Sequence, residues 1–246
     1  MHPIFFSAGP LTVYSYGAML SLAFIAGIFA TLRLCKDQGI EPEAVLDTVL
    51  WMMILAVIGA RLSYVIFFWG EFSGDLTEIV MIQHGGLAFY GGLLGALGAI
   101  IWRVRKLGIN TWKALDLAAP GTAIGYSIGR LGCFLNGCCY GIETSLPWAV
   151  AFPNVPGLRH PTQIYSSISG LLIFLALLLL WGRKRFDGQI FLFALIFYSV
   201  YRMLIEFLRY GVRYCGLTAS QWFSIIVFIF ACSALVWIMN KKTDLK

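Results

Sequence analysis

The sequence predicts an all-α integral membrane protein of about seven transmembrane helices, with the N-terminus outside and the C-terminus cytoplasmic. Three observations predict it. Hydrophobic residues make up 59% of the 246-residue chain and charged residues only 12%, with a mean hydropathy of +0.81, whereas a soluble domain carries roughly 25% charge. The apolar residues gather into stretches of about 20, the length that crosses a bilayer. The basic residues collect in alternate loops. No hydrophilic block is large enough for a separate soluble domain, so residues 1–246 are expected to form a single polytopic membrane domain.

The stretches fall at 12–34, 44–69, 86–104, 114–134, 163–182, 188–207 and 219–240. The first follows residues 1–10, which hold no Lys or Arg, unlike the basic start of a signal peptide. Arg33 and Lys36 close it. The second carries Arg61 within its apolar run. The third is rich in glycine from 85 to 98, which permits a broken or re-entrant segment, and it ends at Arg103, Arg105 and Lys106. The fourth carries Arg130. Gly91 and Gly95 in the third, and Gly125 and Gly129 in the fourth, are small-xxx-small pairs extended by Gly98 and Gly132, a signal for close helix packing. The fifth ends at Arg183, Lys184 and Arg185, and the seventh at Lys241, Lys242 and Lys246. In the sixth, Tyr198, Arg202 and Glu206 recur every four residues, with Arg209 next on the same helical face.

Twelve of the 18 basic residues lie in loops on one side, which sets the orientation. The net charge of +6 reflects this topology and some attraction to anionic lipid. No basic patch interleaved with aromatics suggests nucleic acid. The outer loops then comprise 71–84, 134–162 and 209–218, and the polar residues gather toward the outer leaflet.

Three arginines within spans, Arg61, Arg130 and Arg202, are the strongest functional signal. Each costs about 2.5–3.5 kcal/mol to insert at mid-helix, and the guanidinium fork suits phosphate or carboxylate. Glu206, one turn from Arg202, either neutralises it for insertion or holds it while its free edge grips an anion. Gly85, Gly86, Gly91 and Gly92 bracket Tyr90, allowing backbone and tyrosine to approach a ligand. His2 and His84 read as loop histidines, and His160 as a structural or catalytic one. Cys35, Cys215 and Cys232 are scattered. Cys133, Cys138 and Cys139 cluster, but Cys-x4-Cys-Cys lacks the usual structural-zinc spacing and a zinc site needs further ligands. A disulfide or a free cavity thiol is the expectation, with neither metal nor cofactor. No Ser-His-Asp elbow, Walker A loop or HExxH motif is present.

Gly129-Arg130-Leu131-Gly132-Cys133-Phe134-Leu135-Asn136-Gly137, followed by Gly141, resembles the signature of prolipoprotein diacylglyceryl transferases. Tyr16-Gly17, Gly59-Ala60-Arg61-Leu62, the double-glycine segment around Tyr90, Asp116 before Pro120, His160-Pro161-Thr162-Gln163-Ile164-Tyr165, and Tyr198, Arg202 and Glu206 fit that family in order. The resemblance implies a bacterial cytoplasmic-membrane enzyme with its active site toward the outer leaflet. It would transfer diacylglyceryl from phosphatidylglycerol to the lipobox cysteine of a prelipoprotein signal peptide, releasing glycerol phosphate. Arg130, Arg202, Tyr90 and His160 are then the catalytic candidates. Arg130, Arg61, Asn136, Tyr16, Gly141, Tyr198 and Glu206 are the substrate-binding ones. Many members carry histidine where Tyr90 stands and glutamate where Cys138 stands, which suggests a divergent branch. The alternatives are a phospholipid-dependent transferase with another acceptor, or a lipid or organic-anion transporter; no internal repeat of the transporter kind is visible.

Overall fold

A computed structural model describes residues 2–8, 11–81, 85–153 and 155–243. Seven long helices occupy the seven apolar stretches: α1 (Ser15–Cys35), α2 (Pro42–Phe67), α4 (Phe89–Lys106), α5 (Thr111–Asn136), α6 (Thr162–Trp181), α7 (Gln189–Glu206) and α8 (Ala219–Thr243). A one-turn helix, α3 (Trp69–Phe72), follows α2. Five helices, α1, α2, α6, α7 and α8, are long and apolar enough to cross a membrane. Among the described residues there are three small antiparallel hairpins, one before α1 and two in loops between helices, which the sequence pattern does not anticipate. They pair β1 (Ile4–Ala8) with β2 (Leu11–Tyr14), β3 (Val150–Ala151) with β4 (Leu158–Arg159), and β5 (Arg213–Tyr214) with β6 (Leu217–Thr218).

The chain forms two compact units, one of residues 1–31 and 115–246, the other of residues 32–114. In the larger unit, α1 and α5 approach through glycine. A Cβ on Gly27 would stand 3.0 Å from the Gly121 carbonyl oxygen, and one on Gly121 would stand 2.7 Å from that of Gly27. Neither position accommodates a side chain without moving backbone. Ala119, Leu177 and Ile190 form an apolar core where α5, α6 and α7 meet, and Phe186, Leu192 and Ala231 form another between α7 and α8.

Asp116 of α5 fixes the start of α7. It is fully buried, and its carboxylate accepts the backbone N–H of Gly188 at 2.7 Å and of Phe191 at 2.8 Å. Those donors have no partner within their own helix. Lys184 sits 2.9 Å from the same carboxylate and 3.0 Å from Asp187, so the buried charge is paired. At α8, the Gln221 side chain accepts from Thr218 N–H at 2.9 Å, and Thr218 Oγ1 accepts from Gln221 N–H at 3.3 Å. This reciprocal pair is a capping box.

The smaller unit is built on α2 and α4. Gly91 and Gly95 of α4 lie so close to α2 that a Cβ on either would overlap the Gly59 or Leu55 carbonyl oxygen. The small-xxx-small pair therefore does pack a helix, as its spacing predicts. Arg103 of α4 is paired with Asp47 of α2.

Polarity is distributed inversely to that of a soluble protein. Among the most deeply buried side chains are Gln163, Gln221, Thr162, Asp116 and Ser15, while Leu179 and Phe67 are 78% and 75% exposed. Apolar surface on this scale needs a lipid or protein covering.

Candidate active site

The site in the larger unit grows from two helices carrying the same pattern, a tyrosine one turn before an arginine. On α7 the pattern is Tyr198 and Arg202, continued by Glu206. The Arg202 Nη2 lies 3.0 Å from Glu206 Oε2 and donates to Ser220 Oγ of α8 at 3.0 Å. One edge of the fork is thus pinned by two helices. Its other nitrogen, Nη1, is buried and has no hydrogen-bond partner among the described residues. An unpaired buried guanidinium N–H is costly, so this atom points to a missing acceptor. Arg209 does not continue the helical face as its spacing suggests: α7 stops at Glu206, and Arg209 N–H closes the following turn on the Glu206 carbonyl at 3.2 Å.

On α5 the pattern is Tyr126 and Arg130. The guanidinium carbon lies 4.8 Å from the Tyr126 ring centroid, a cation–π contact. Tyr126 also meets Tyr198 edge-on, with ring centroids 5.7 Å apart, which joins the two patterns. Its hydroxyl is 3.0 Å from that of Tyr201, which in turn donates to Ser166 of α6. Tyr198 is the meeting point, its ring centroid also lying 6.0 Å from that of Tyr201.

Beyond α5 the chain turns sharply. Gly137 and Cys139 take left-handed conformations, with φ of 77° and 65°. Gln163 Nε2 donates to the Cys138 carbonyl at 2.6 Å and Thr162 Oγ1 to that of Cys139 at 2.8 Å, fixing the turn to the start of α6. Asn136, the last residue of α5, is exposed. A hydrogen bond from the Cys133 thiol is the chief influence drawing the Cys139 thiol down to about 5; burial opposes it, while Cys138, Arg209 and Arg130 add to it. Burial pushes the Cys138 thiol up. Tyr16, at the start of α1, lies beside these thiols and Arg130, and packs over Gly132 at 3.5 Å from where a Cβ would be.

Gly141 is buried where the loop crosses His160. Its N–H donates to the His160 carbonyl at 2.9 Å, and a Cβ there would lie 2.8 Å from His160 Cβ. The role visible in the structure is steric. His160 is itself buried, with Nδ1 3.3 Å from the Tyr165 hydroxyl, which accepts from Trp148 Nε1 at 2.7 Å. Among the described residues, no hydrogen bond links His160 to Arg130 or Arg202.

Arg61 and Tyr90 belong to the smaller unit. Arg61 is buried, and its donors are committed to main-chain carbonyls: Nε to Ile79 at 2.9 Å, Nη1 to Gly85 at 2.6 Å and Gly86 at 2.9 Å, and Nη2 to Glu78 and Met81. The guanidinium also lies 5.0 Å from the Phe72 ring centroid. This differs from the expected grip on an anion: the fork is filled by backbone, and it shapes the double-glycine segment. Gly86 suits that segment twice over, through a φ of 76° and because a Cβ would stand 2.6 Å from Arg61 Nη1. Tyr90, the second residue of α4, is 77% exposed. His84 lies outside the described residues; His2 is exposed, and its carbonyl accepts from Ser15 Oγ.

Tyr126, Tyr201 and Ser220 were not among the candidates drawn from the sequence. The signal for Tyr126 was present, since its spacing to Arg130 repeats that of Tyr198 to Arg202. Tyr201 and Ser220 owe their places to helix packing, which leaves no local trace.

Comparison with known proteins places the chain in a family. The family model described as prolipoprotein diacylglyceryl transferase matches residues 3–237. The phosphatidylglycerol–prolipoprotein diacylglyceryl transferase of Finegoldia magna is 37% identical over 248 residues, covering 100% of this chain and 98% of the relative. The enzyme of the same name from Synechococcus elongatus is 35% identical, covering 99% and 89%. One from Streptococcus pneumoniae is 40% identical, covering 98% and 95%. With a family model matched nearly end to end and relatives of this identity along their whole length, the chain belongs to the prolipoprotein diacylglyceryl transferase family.

Proposed function

We propose that this protein transfers the diacylglyceryl group of phosphatidylglycerol to the lipobox cysteine thiol of a prelipoprotein signal peptide. The sulfur attacks the glycerol carbon, the C–O bond to phosphate breaks with its electron pair on oxygen, and glycerol phosphate leaves. The product is a thioether. Family membership supports the reaction, and one structural observation supports its location: the buried, unpartnered Nη1 of Arg202 beside the Arg130–Tyr126–Tyr198 cluster.

The chemistry asks for such a cluster. Negative charge grows on the departing phosphate, and fixed guanidiniums in a water-poor site stabilise it without reorganising. Glu206 and Ser220 hold Arg202 so that its free edge meets the phosphate, while Arg130, braced on Tyr126, supplies the second charge. The same positive charge favours ionisation of the acceptor thiol, whose ordinary pKa is near roughly 8.5. Arg61 serves as a positioning residue for the glycine segment before Tyr90.

The chain is proposed to act as one polytopic domain of the bacterial cytoplasmic membrane, with seven spans, the N-terminus outside and the site toward the outer leaflet. The loop distribution of Lys and Arg supports this. Incubating purified protein with glycerol-labelled phosphatidylglycerol and a lipobox peptide tests the reaction. Label on the peptide supports it. Headgroup release with an unmodified peptide favours another acceptor, and lipid binding without release favours transport.

A further inference from the structure

The turn after α5 brings together three thiols that the proposed reaction does not use. Cys133 lies in the last turn of α5, Cys138 and Cys139 follow it, and all three are free and half-buried. Their sulfurs lie within 4.8 Å of one another, and those of Cys138 and Cys139 are 3.6 Å apart. Three sulfurs bound to one zinc ion at roughly 2.3 Å in tetrahedral geometry stand about 3.8 Å apart. The observed cluster is thus close to ligand geometry.

We propose that Cys133, Cys138 and Cys139 form a binding site for a thiophilic divalent metal ion of the Zn²⁺ class. Two further observations point the same way. The turn adopts positive φ at Cys139, a non-glycine residue, and is held there by the deeply buried Gln163 and Thr162 through the carbonyls of Cys138 and Cys139. Ligands clamped in this way from behind lose little freedom on binding. Three thiolates around a divalent ion carry one net negative charge, and Arg130, one turn before Cys133 on α5, supplies positive charge on the same helix. Soft thiolate donors select Zn²⁺ over the hard cations of oxygen sites. Three protein ligands leave the fourth position for water or a further thiolate, as in open zinc sites. The spacing Cys-x4-Cys-Cys concealed the site because the left-handed turn, not a regular loop, closes it.

The site is tested without activity. Full-length protein in detergent is reduced with a phosphine, freed of metal with a chelator and titrated with Co²⁺, then Zn²⁺. The expected result is a thiolate-to-cobalt charge-transfer band saturating at one ion per chain and abolished when Zn²⁺ displaces cobalt. Cys133→Ser, Cys138→Ser and Cys139→Ser should each weaken cobalt binding by at least about 100-fold, at or beyond the top of the range for a second-shell change. Cys215→Ser and Cys232→Ser should leave it unchanged. Absence of the band in the wild-type protein overturns the proposal, so it stays falsifiable even where a serine variant fails to fold. An undiminished band in the triple serine variant, marking an adventitious ion only, also overturns it. So does a disulfide between any two of the three thiols in protein alkylated directly from membranes.

Discussion

Arg202 shows how a single side chain can be both held and available. Glu206 and Ser220 occupy one nitrogen of its fork and leave the other buried without an acceptor. Glu206 lies 3.0 Å from Arg202 on the same helix and is assigned to positioning it. Glu206→Gln should keep part of the turnover, because a side chain of the same shape still packs beside Arg202, whereas Glu206→Ala should lose more. Equal and complete loss in two folded variants would instead assign Glu206 to proton transfer. Tyr90, the second residue of α4, carries a hydroxyl that can donate a hydrogen bond. Removing that donor with Tyr90→Phe should lower kcat by about 10–1,000-fold, the range for one hydrogen bond to a charged group or one transition-state donor. Unchanged kinetics would reduce Tyr90 to packing.

At the scale of elements, helix ends carry much of the specification. Asp116 caps α7 from the middle of the fold and balances Lys184. Asp116→Ala removes a carboxylate from a buried pair and leaves two N–H groups unsatisfied, so it should cost about 3–5 kcal/mol, seen as a fall in Tm of the detergent-solubilised protein. A Tm within a degree or two of wild type would show that Asp187 alone satisfies Lys184. The helices themselves were legible in the sequence as long apolar runs: each predicted stretch holds a long helix, and five of these helices, among the described residues, are long and apolar enough to cross a membrane. The hairpins at β3–β4 and β5–β6 were not, since two-residue strands leave no periodicity to read. The partners of Arg61 were equally hidden: the sequence shows a charge in a span, and only the fold reveals that carbonyls from residues 78–86 fill its fork.

At the scale of the whole molecule, large exposed apolar side chains such as Leu179 and Phe67 match helices solvated by lipid. The family-like motifs are far apart in sequence, yet Tyr16, Arg130, Tyr198, Arg202 and Glu206 all fall in one compact unit. That part of the candidate site was legible residue by residue, whereas the tyrosine network joining it was not. The proposed topology predicts that single cysteines introduced at Asn110 and Arg183 in a cysteine-free background are shielded from a membrane-impermeant thiol reagent in intact cells. One at Arg213 should react. Labelling with the opposite sidedness would reverse the orientation.

The central claim is that the arginine cluster drives transfer of an intact diacylglyceryl group to a thiol. Mass spectrometry of a lipobox peptide after incubation with phosphatidylglycerol and either wild-type protein or Arg130→Ala tests it most directly. Wild type should add both acyl chains and the glycerol backbone to cysteine through a bond that resists hydroxylamine, as a thioether does. Folded Arg130→Ala should add nothing detectable, and Arg130→Lys should recover little, because an ammonium lacks the planar fork. An adduct that hydroxylamine removes from sulfur altogether, glycerol included, or near-normal product from Arg130→Ala, would contradict the account.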